Sequence, residues 1–196
     1  MAVKNQSKYQ AIVIGASAGG HAALNKLLPA LTADLPVPVI IIHHMHPEFD
    51  DYSIRQLYKK CALNVKIAEE KEPVEPGNIY FGPPNYHLLI EQDKTFSLSV
   101  SAPVNYARPS IDVLFESASD VYQDKLIGVI LTGANDDGSN GLKTIKNRRG
   151  VVIVQNPAEA EMSKMPESAL RLTKIDYVLN LNDIASKLLY ILRHDI

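Results

Sequence analysis

Three short stretches of this chain carry side chains that could together perform acyl transfer. Residues 11–24 read AIVIGASAGGHAAL and place Ser17 among glycines; residues 43–46 read HHMH; residues 132–138 read TGANDDG, with Asn135, Asp136 and Asp137. A hydroxyl, an imidazole and a carboxylate are the parts of a nucleophile, its general base and the group that orients the base. The chain order Ser, His, Asp differs from the orders of chymotrypsin, subtilisin and the α/β-hydrolases. That is no objection, because the triad is a geometry and not an order.

Each stretch also has a plainer reading. A glycine-rich turn between a strand and a helix can cradle a pyrophosphate, which makes a nucleotide-binding module the rival function. Such a loop wants glycine at position 17 and an acidic residue after the second strand; this chain has Ser17 and histidines there. Read as Gly15-x-Ser17-x-Gly19, the turn matches a nucleophile elbow, although a serine there can also simply cap the next helix. Three histidines in four positions suggest a metal, but no cysteine accompanies them and adjacent His43 and His44 point to opposite faces of an extended segment. The expectation is no metal and no cofactor. The NDDG stretch can be a turn and helix cap, and spacing alone does not choose between Asp136 and Asp137.

The elements that must position these residues are legible as hydrophobic periodicity. Besides 11–14, short apolar or β-branched runs fall at 37–44, 64–69, 78–84, 127–133, 150–155 and 176–181, and helical patterns lie at about 20–31, 50–61, 110–123, 139–148, 166–172 and 182–193. Several strands are apolar throughout, as strands covered on both faces are. The expected fold is α/β, a doubly wound, mostly parallel sheet with helices on both faces. Two alternating runs about a polar turn at 87–100 add a β-hairpin, and 101–110 reads as a loop. In such a sheet, chemistry gathers at the carboxyl ends of the strands, where Ser17, the histidines and the NDDG stretch all fall.

Composition narrows the function. With 196 residues, 46% apolar and 21% charged, the chain is expected to form one domain over 10–196 behind a short tail, 1–9. A formal net charge of −2 with scattered basic residues does not suit a nucleic-acid binder. The single cysteine, Cys61, fits a reducing compartment and reads as structural. No apolar run reaches membrane-spanning length and the N-terminus has no signal-peptide core, so the expected location is the cytoplasm, without membrane insertion.

The segments IGASAGG, HHMHPEF, GNIYFGPPNYHLL, RPSIDVLFESAS, IGVILTGANDDGSNGL, VVIVQNPAEAEMSKMPESA and DYVLNL run in order from about residue 10 to 192. Together they resemble the catalytic domain of the chemotaxis receptor methylesterases, the CheB-type protein-glutamate methylesterases. By position, the resemblance implies Ser17 as nucleophile, His44 as base and Asp137 as carboxylate, leaving His43 and Asp136 without a role. It implies backbone amides of Ala18 and Ala134 as oxyanion donors; the family often has Thr and Met at those two positions. It implies methylated chemoreceptor helices as substrate, possible glutamine deamidation, and methyltransferase or sensor-kinase modules as partners. A receiver domain, carried by better-known members, is not expected here. An inactive scaffold of the same fold is the second alternative function.

A side chain on a rigid receptor helix calls for an open cleft, expected between loops 45–50, 83–86, 103–110 and 156–166. Arg108 and Met165 are the expected substrate contacts. A structural pairing of Arg108 with Asp112 is the plainer reading of that arginine.

Overall fold

The computed structural model describes residues 7–44, 57 and 59–194. His46, the 45–50 loop and most of the helix expected at 50–61 lie outside the described residues.

Seven strands form one sheet: β1 (Ala11–Ala16), β2 (Val39–His43), β3 (Asn64–Ile67), β4 (Asn78–Phe81), β7 (Leu126–Ile130), β8 (Val151–Gln155) and β9 (Tyr177–Leu179). Their order is β3-β4-β2-β1-β7-β8-β9, and every pairing is parallel. The hairpin β5 (His87–Ile90) and β6 (Phe96–Ser99) stands apart as a two-stranded antiparallel sheet. Parallelism is therefore complete in the main sheet, and the hairpin is an addition to it.

Alternation along β1 shows why this sheet needs two helical layers. Ile12 and Ile14 enter one core with residues of α1 (Gly20–Leu27) and α5 (Leu181–His194), among them Leu24, Leu27, Ile184 and Leu188. Ala11 and Val13 enter the other, with α2 (Ile111–Tyr122), α3 (Ser139–Asn147) and α4 (Lys164–Leu172), whose Phe115, Leu142, Ile145 and Ala169 are buried there. Each Val or Ile side chain buried in this way contributes about 1.5–3 kcal/mol of transfer free energy. The hairpin completes the second core through Leu88, Ile90 and Phe96, with Phe96 edge-on to Tyr80 at 4.8 Å between ring centroids.

Helix α4 begins two residues before the sequence pattern suggested, because Pro166 sits inside its first turn. Proline is tolerated there, where backbone N–H groups have no intrahelical acceptor to lose.

The winding places the site. From β1 the chain adds β2, β3 and β4 on one side, then returns to lay β7, β8 and β9 on the other. The reversal makes β2, β1 and β7 adjacent, so their carboxyl ends lie side by side, at the edge where ligands collect in sheets of this kind.

Candidate active site

Strand β1 ends at Ala16, and the chain turns through residues 17–19 into α1. The neighbouring β7 loop clamps this turn. Ser17 N–H donates to Thr132 O (3.0 Å), Gly20 N–H to Ser17 O (2.7 Å), and Thr132 Oγ1 to Ala18 O (2.9 Å). Thr132 Oγ1 in turn accepts Met162 N–H at 2.9 Å, and Gln155 Oε1 accepts Thr132 N–H at 2.9 Å. Gly19 is the N-cap of α1 with φ 77°, a left-handed conformation that favours glycine, and an added Cβ would lie 2.8 Å from Glu161. The left-handed backbone of this turn is at Gly19, and Ser17 is not among the residues of positive φ.

Nor does the Ser17 side chain cap the helix, whose N-cap makes no side-chain hydrogen bond. Among the described residues none takes a hydrogen bond from Ser17 Oγ. Ser17 is half-buried as a residue, and its hydroxyl is uncommitted among the described residues. His43 lies beneath the turn, buried, with its ring bonded to the Ser17 backbone. Burial drives its pKa down to about 4, so at neutral pH it is an uncharged prop.

His44, the next residue, faces the other way. Its N–H donates to Ala16 O at 3.0 Å, and its Nε2 lies 2.9 Å from Asp137 Oδ2. The oxygen is within ion-pair range but off the line of the ring N–H. Asp137 is fully buried and is held by donors from a distant segment: Ser110 Oγ (2.8 Å), Ile111 N–H (2.7 Å), Asp112 N–H (3.1 Å) and Asn105 Nδ2 (3.2 Å). Two of these are the free N–H groups at the start of α2, where unsatisfied amides and the helix dipole favour an anion. Burial pushes the Asp137 carboxyl up, but His44, the Ile111 amide and Ser110 outweigh it, and the net pKa is lowered. Asp136 is exposed and takes no part. Gly138, φ 91°, starts α3 immediately afterwards; a Cβ there would lie 2.6 Å from Ile111 Cγ2.

Ala18 and Ala134, the expected oxyanion donors, are both exposed, and among the described residues neither N–H has a protein acceptor. The turn before Ala134 is fastened to the 162–165 segment through Gly133 N–H to Met162 O (3.1 Å) and Met165 N–H to Gly133 O (2.9 Å).

Two expected substrate contacts sit differently from expectation. Met165 is fully buried, its sulfur 2.8 Å from where a Cβ on Gly133 would be, so it supports the turn from behind and offers nothing to a substrate. The exposed methionine of this segment is Met162. Arg108 does not pair with Asp112; its Nη1 donates to Val100 O (2.8 Å) and Ser101 O (3.1 Å), tying the 100–108 loop to itself. Sequence reasoning placed Thr132 at its strand end without a role and missed Asn105 and Ser110, polar residues whose partners are far along the chain.

A cavity of about 720 Å³ opens at the opposite, amino edge of the sheet, lined by residues such as Thr32, Asp34, Pro76 and Arg193 and, among the described residues, by no serine, cysteine or histidine. Burial raises the Cys61 thiol to about 11, which makes it a poor nucleophile. Among the described residues no cluster of three His, Cys, Asp or Glu is set to hold a metal, and no helix is long and apolar enough to cross a membrane.

A serine-bearing turn, an imidazole and a buried carboxylate stand at three adjacent strand ends of a doubly wound sheet, the residue types that serine hydrolases combine. The profile of the family described as CheB methylesterase matches residues 12–188, and the chain belongs to that family. A Leptospira interrogans protein, provisionally named a protein-glutamate methylesterase/protein-glutamine glutaminase, is 55% identical over 177 residues, covering 90% of this chain and 92% of its own. A Clostridium acetobutylicum protein-glutamate methylesterase/protein-glutamine glutaminase is 33% identical over 94% of this chain, which spans 53% of that relative. The crystal structure of the Thermotoga maritima CheB methylesterase catalytic domain superposes with a TM-score of 0.89 at 34% identity, covering 93% of this chain and 98% of that one.

Proposed function

We propose that this chain is a protein-glutamate methylesterase in which Ser17 is the nucleophile, His44 the general base and Asp137 the orienting carboxylate. Ser17 Oγ attacks the carbonyl carbon of a γ-glutamyl methyl ester while His44 takes its proton. The tetrahedral oxyanion is received by the Ala18 and Ala134 amides. As the C–O bond breaks, His44 returns the proton to the leaving methoxide and methanol departs. Water then attacks the acyl-enzyme, again deprotonated by His44, and releases glutamate and Ser17. Attack on a glutamine side chain by the same route expels ammonia and accounts for a glutaminase activity.

The observation that carries this reading is the buried Asp137 carboxylate 2.9 Å from His44, at a strand end beside the one that presents Ser17. Asp137 is positioned to stabilise the imidazolium formed in each step. The substrate we assign is the methylated cytoplasmic helix of a chemoreceptor, reached in the cytoplasm. The exposed Tyr106 and Met162 supply an open rim for such a rod, with no deep pocket required.

The test is methanol release from a methylated receptor fragment, together with labelling by a fluorophosphonate probe. Release by the native protein, none by Ser17→Ala, and labelling confined to Ser17 are the expected results. Undiminished release by Ser17→Ala would overturn the assignment.

A further inference from the structure

The base nitrogen of His44 already has a partner, and it is not Ser17. With Nε2 turned to Asp137, the nitrogen left to accept a proton is Nδ1, and Asn135 Nδ2 lies 3.3 Å from it. The other end of the same amide is spoken for: Asn135 Oδ1 accepts the Asp137 N–H at 3.3 Å. With its oxygen so engaged, Asn135 presents its NH2 group to the ring, and an amide NH2 only donates. Nδ1 must then be the acceptor, and the ring proton sits on Nε2, on the Asp137 side.

This is the tautomer a triad base needs, but its lone pair is occupied. A neutral imidazole has one acceptor lone pair, so Asn135 N–H and Ser17 O–H compete for the same place. Ser17 Oγ is uncommitted among the described residues, in keeping with Asn135 holding that place at rest.

We propose that Asn135 is a positioning residue that caps the base: it keeps His44 as the Nε2–H tautomer and keeps Nδ1 uncoupled from Ser17 until substrate binding draws the hydroxyl in. The inference rests on the Ser17–His44–Asp137 reading. A hydrogen bond of this kind shifts an equilibrium by about two- to tenfold, and that is the size of the restraint.

The experiment compares the native full chain with Asn135→Ala and Asn135→Gly. It measures the second-order rate of Ser17 labelling by a fluorophosphonate, kcat and KM on a small activated ester, and the long-range 1H–15N spectrum of His44. Removing the cap should speed labelling and raise kcat/KM by about two- to tenfold, with KM little changed. The Nδ1 resonance should move in both variants while Nε2 keeps its proton. Equal or slower labelling in both variants, or an unmoved Nδ1 resonance, would overturn the proposal. Should neither variant fold, the native spectrum decides: a proton on Nδ1 overturns it, and an unprotonated Nδ1 coupled to the Asn135 amide nitrogen upholds it. Absence of Ser17 labelling in the native protein sinks the triad reading instead, and leaves the spectrum to judge Asn135.

Discussion

Asp112 and Asp137 are a matched pair with different outcomes. Both carboxylates are buried, and each grips the start of the other's helix. Asp137, just before α3, takes the Ile111 and Asp112 amides of α2; Asp112, in the first turn of α2, takes the Gly141 amide of α3 at 2.7 Å. Asn105 Nδ2 bridges them, 2.9 Å from Asp112 Oδ2 and 3.2 Å from Asp137 Oδ1. Their acidities nevertheless move apart. Burial raises the Asp112 pKa, the Asp137 charge adds to the rise, and its amide donors only partly offset it. For Asp137 the same burial is overcome, with His44 the largest opposing influence. Reciprocal capping thus joins the starts of both helices, and what sets Asp137 apart is the imidazole beside it, on which the proposed catalytic role rests.

The largest expected effect separates the two. Asp137→Asn should lower kcat by roughly 10⁴-fold, the scale seen when a triad carboxylate can no longer hold its imidazole. Asp112→Asn, with no imidazole to orient, should keep kcat within about tenfold. Equal losses in steady-state ester hydrolysis would break the distinction.

His43 and His44 offer the next contrast. His43→Ala should keep most turnover but destabilise the fold by roughly 1–3 kcal/mol, because a buried ring bonded to the Ser17 backbone is removed. His44→Ala should do the reverse. Urea denaturation and ester hydrolysis on both variants separate support from base.

The two aspartates should also respond oppositely to acid. A lowered Asp137 pKa contributes stability that is fully present above the unfolded value, about 3.9, and is lost as pH falls through the folded value. A raised Asp112 pKa makes its ionised form a burden, present above the raised value and relieved as pH falls through it towards about 3.9. Urea unfolding followed from neutral pH into acid should therefore lose its steepest acid decline in Asp137→Asn. In Asp112→Asn it should lose the partial relief on approaching pH 4. Identical pH profiles for the two variants would contradict the opposite shifts.

Arg108 should show the smallest effect. Arg108→Ala should slow hydrolysis of methylated receptor several-fold more than that of a small ester, with added salt blunting the difference, if its half-exposed guanidinium also meets an acidic helix. Equal losses on both substrates would assign it wholly to the loop, where it already bonds Val100 and Ser101.

Local pattern was enough for much of this protein. Apolar runs such as 37–44 and 150–155, broken by glycine and followed by helical spacing, specify a parallel α/β sheet, since strands covered on both faces need apolar residues at every position. They also place Ser17, His44 and the NDDG turn at strand ends, which is where chemistry collects in such a sheet. Which atoms meet was decided elsewhere. Asp137 is chosen over Asp136 by the free amides of a helix that starts at Ile111, 26 residues earlier in the chain. Met165 is buried and Met162 exposed because the Gly133 turn packs on one and bonds the backbone of the other. Asn135 meets Nδ1 only because β2 and β7 flank β1. Periodicity is a property of neighbours along the chain, whereas a hydrogen bond between residues 44 and 135 exists only once the sheet has brought their strands together.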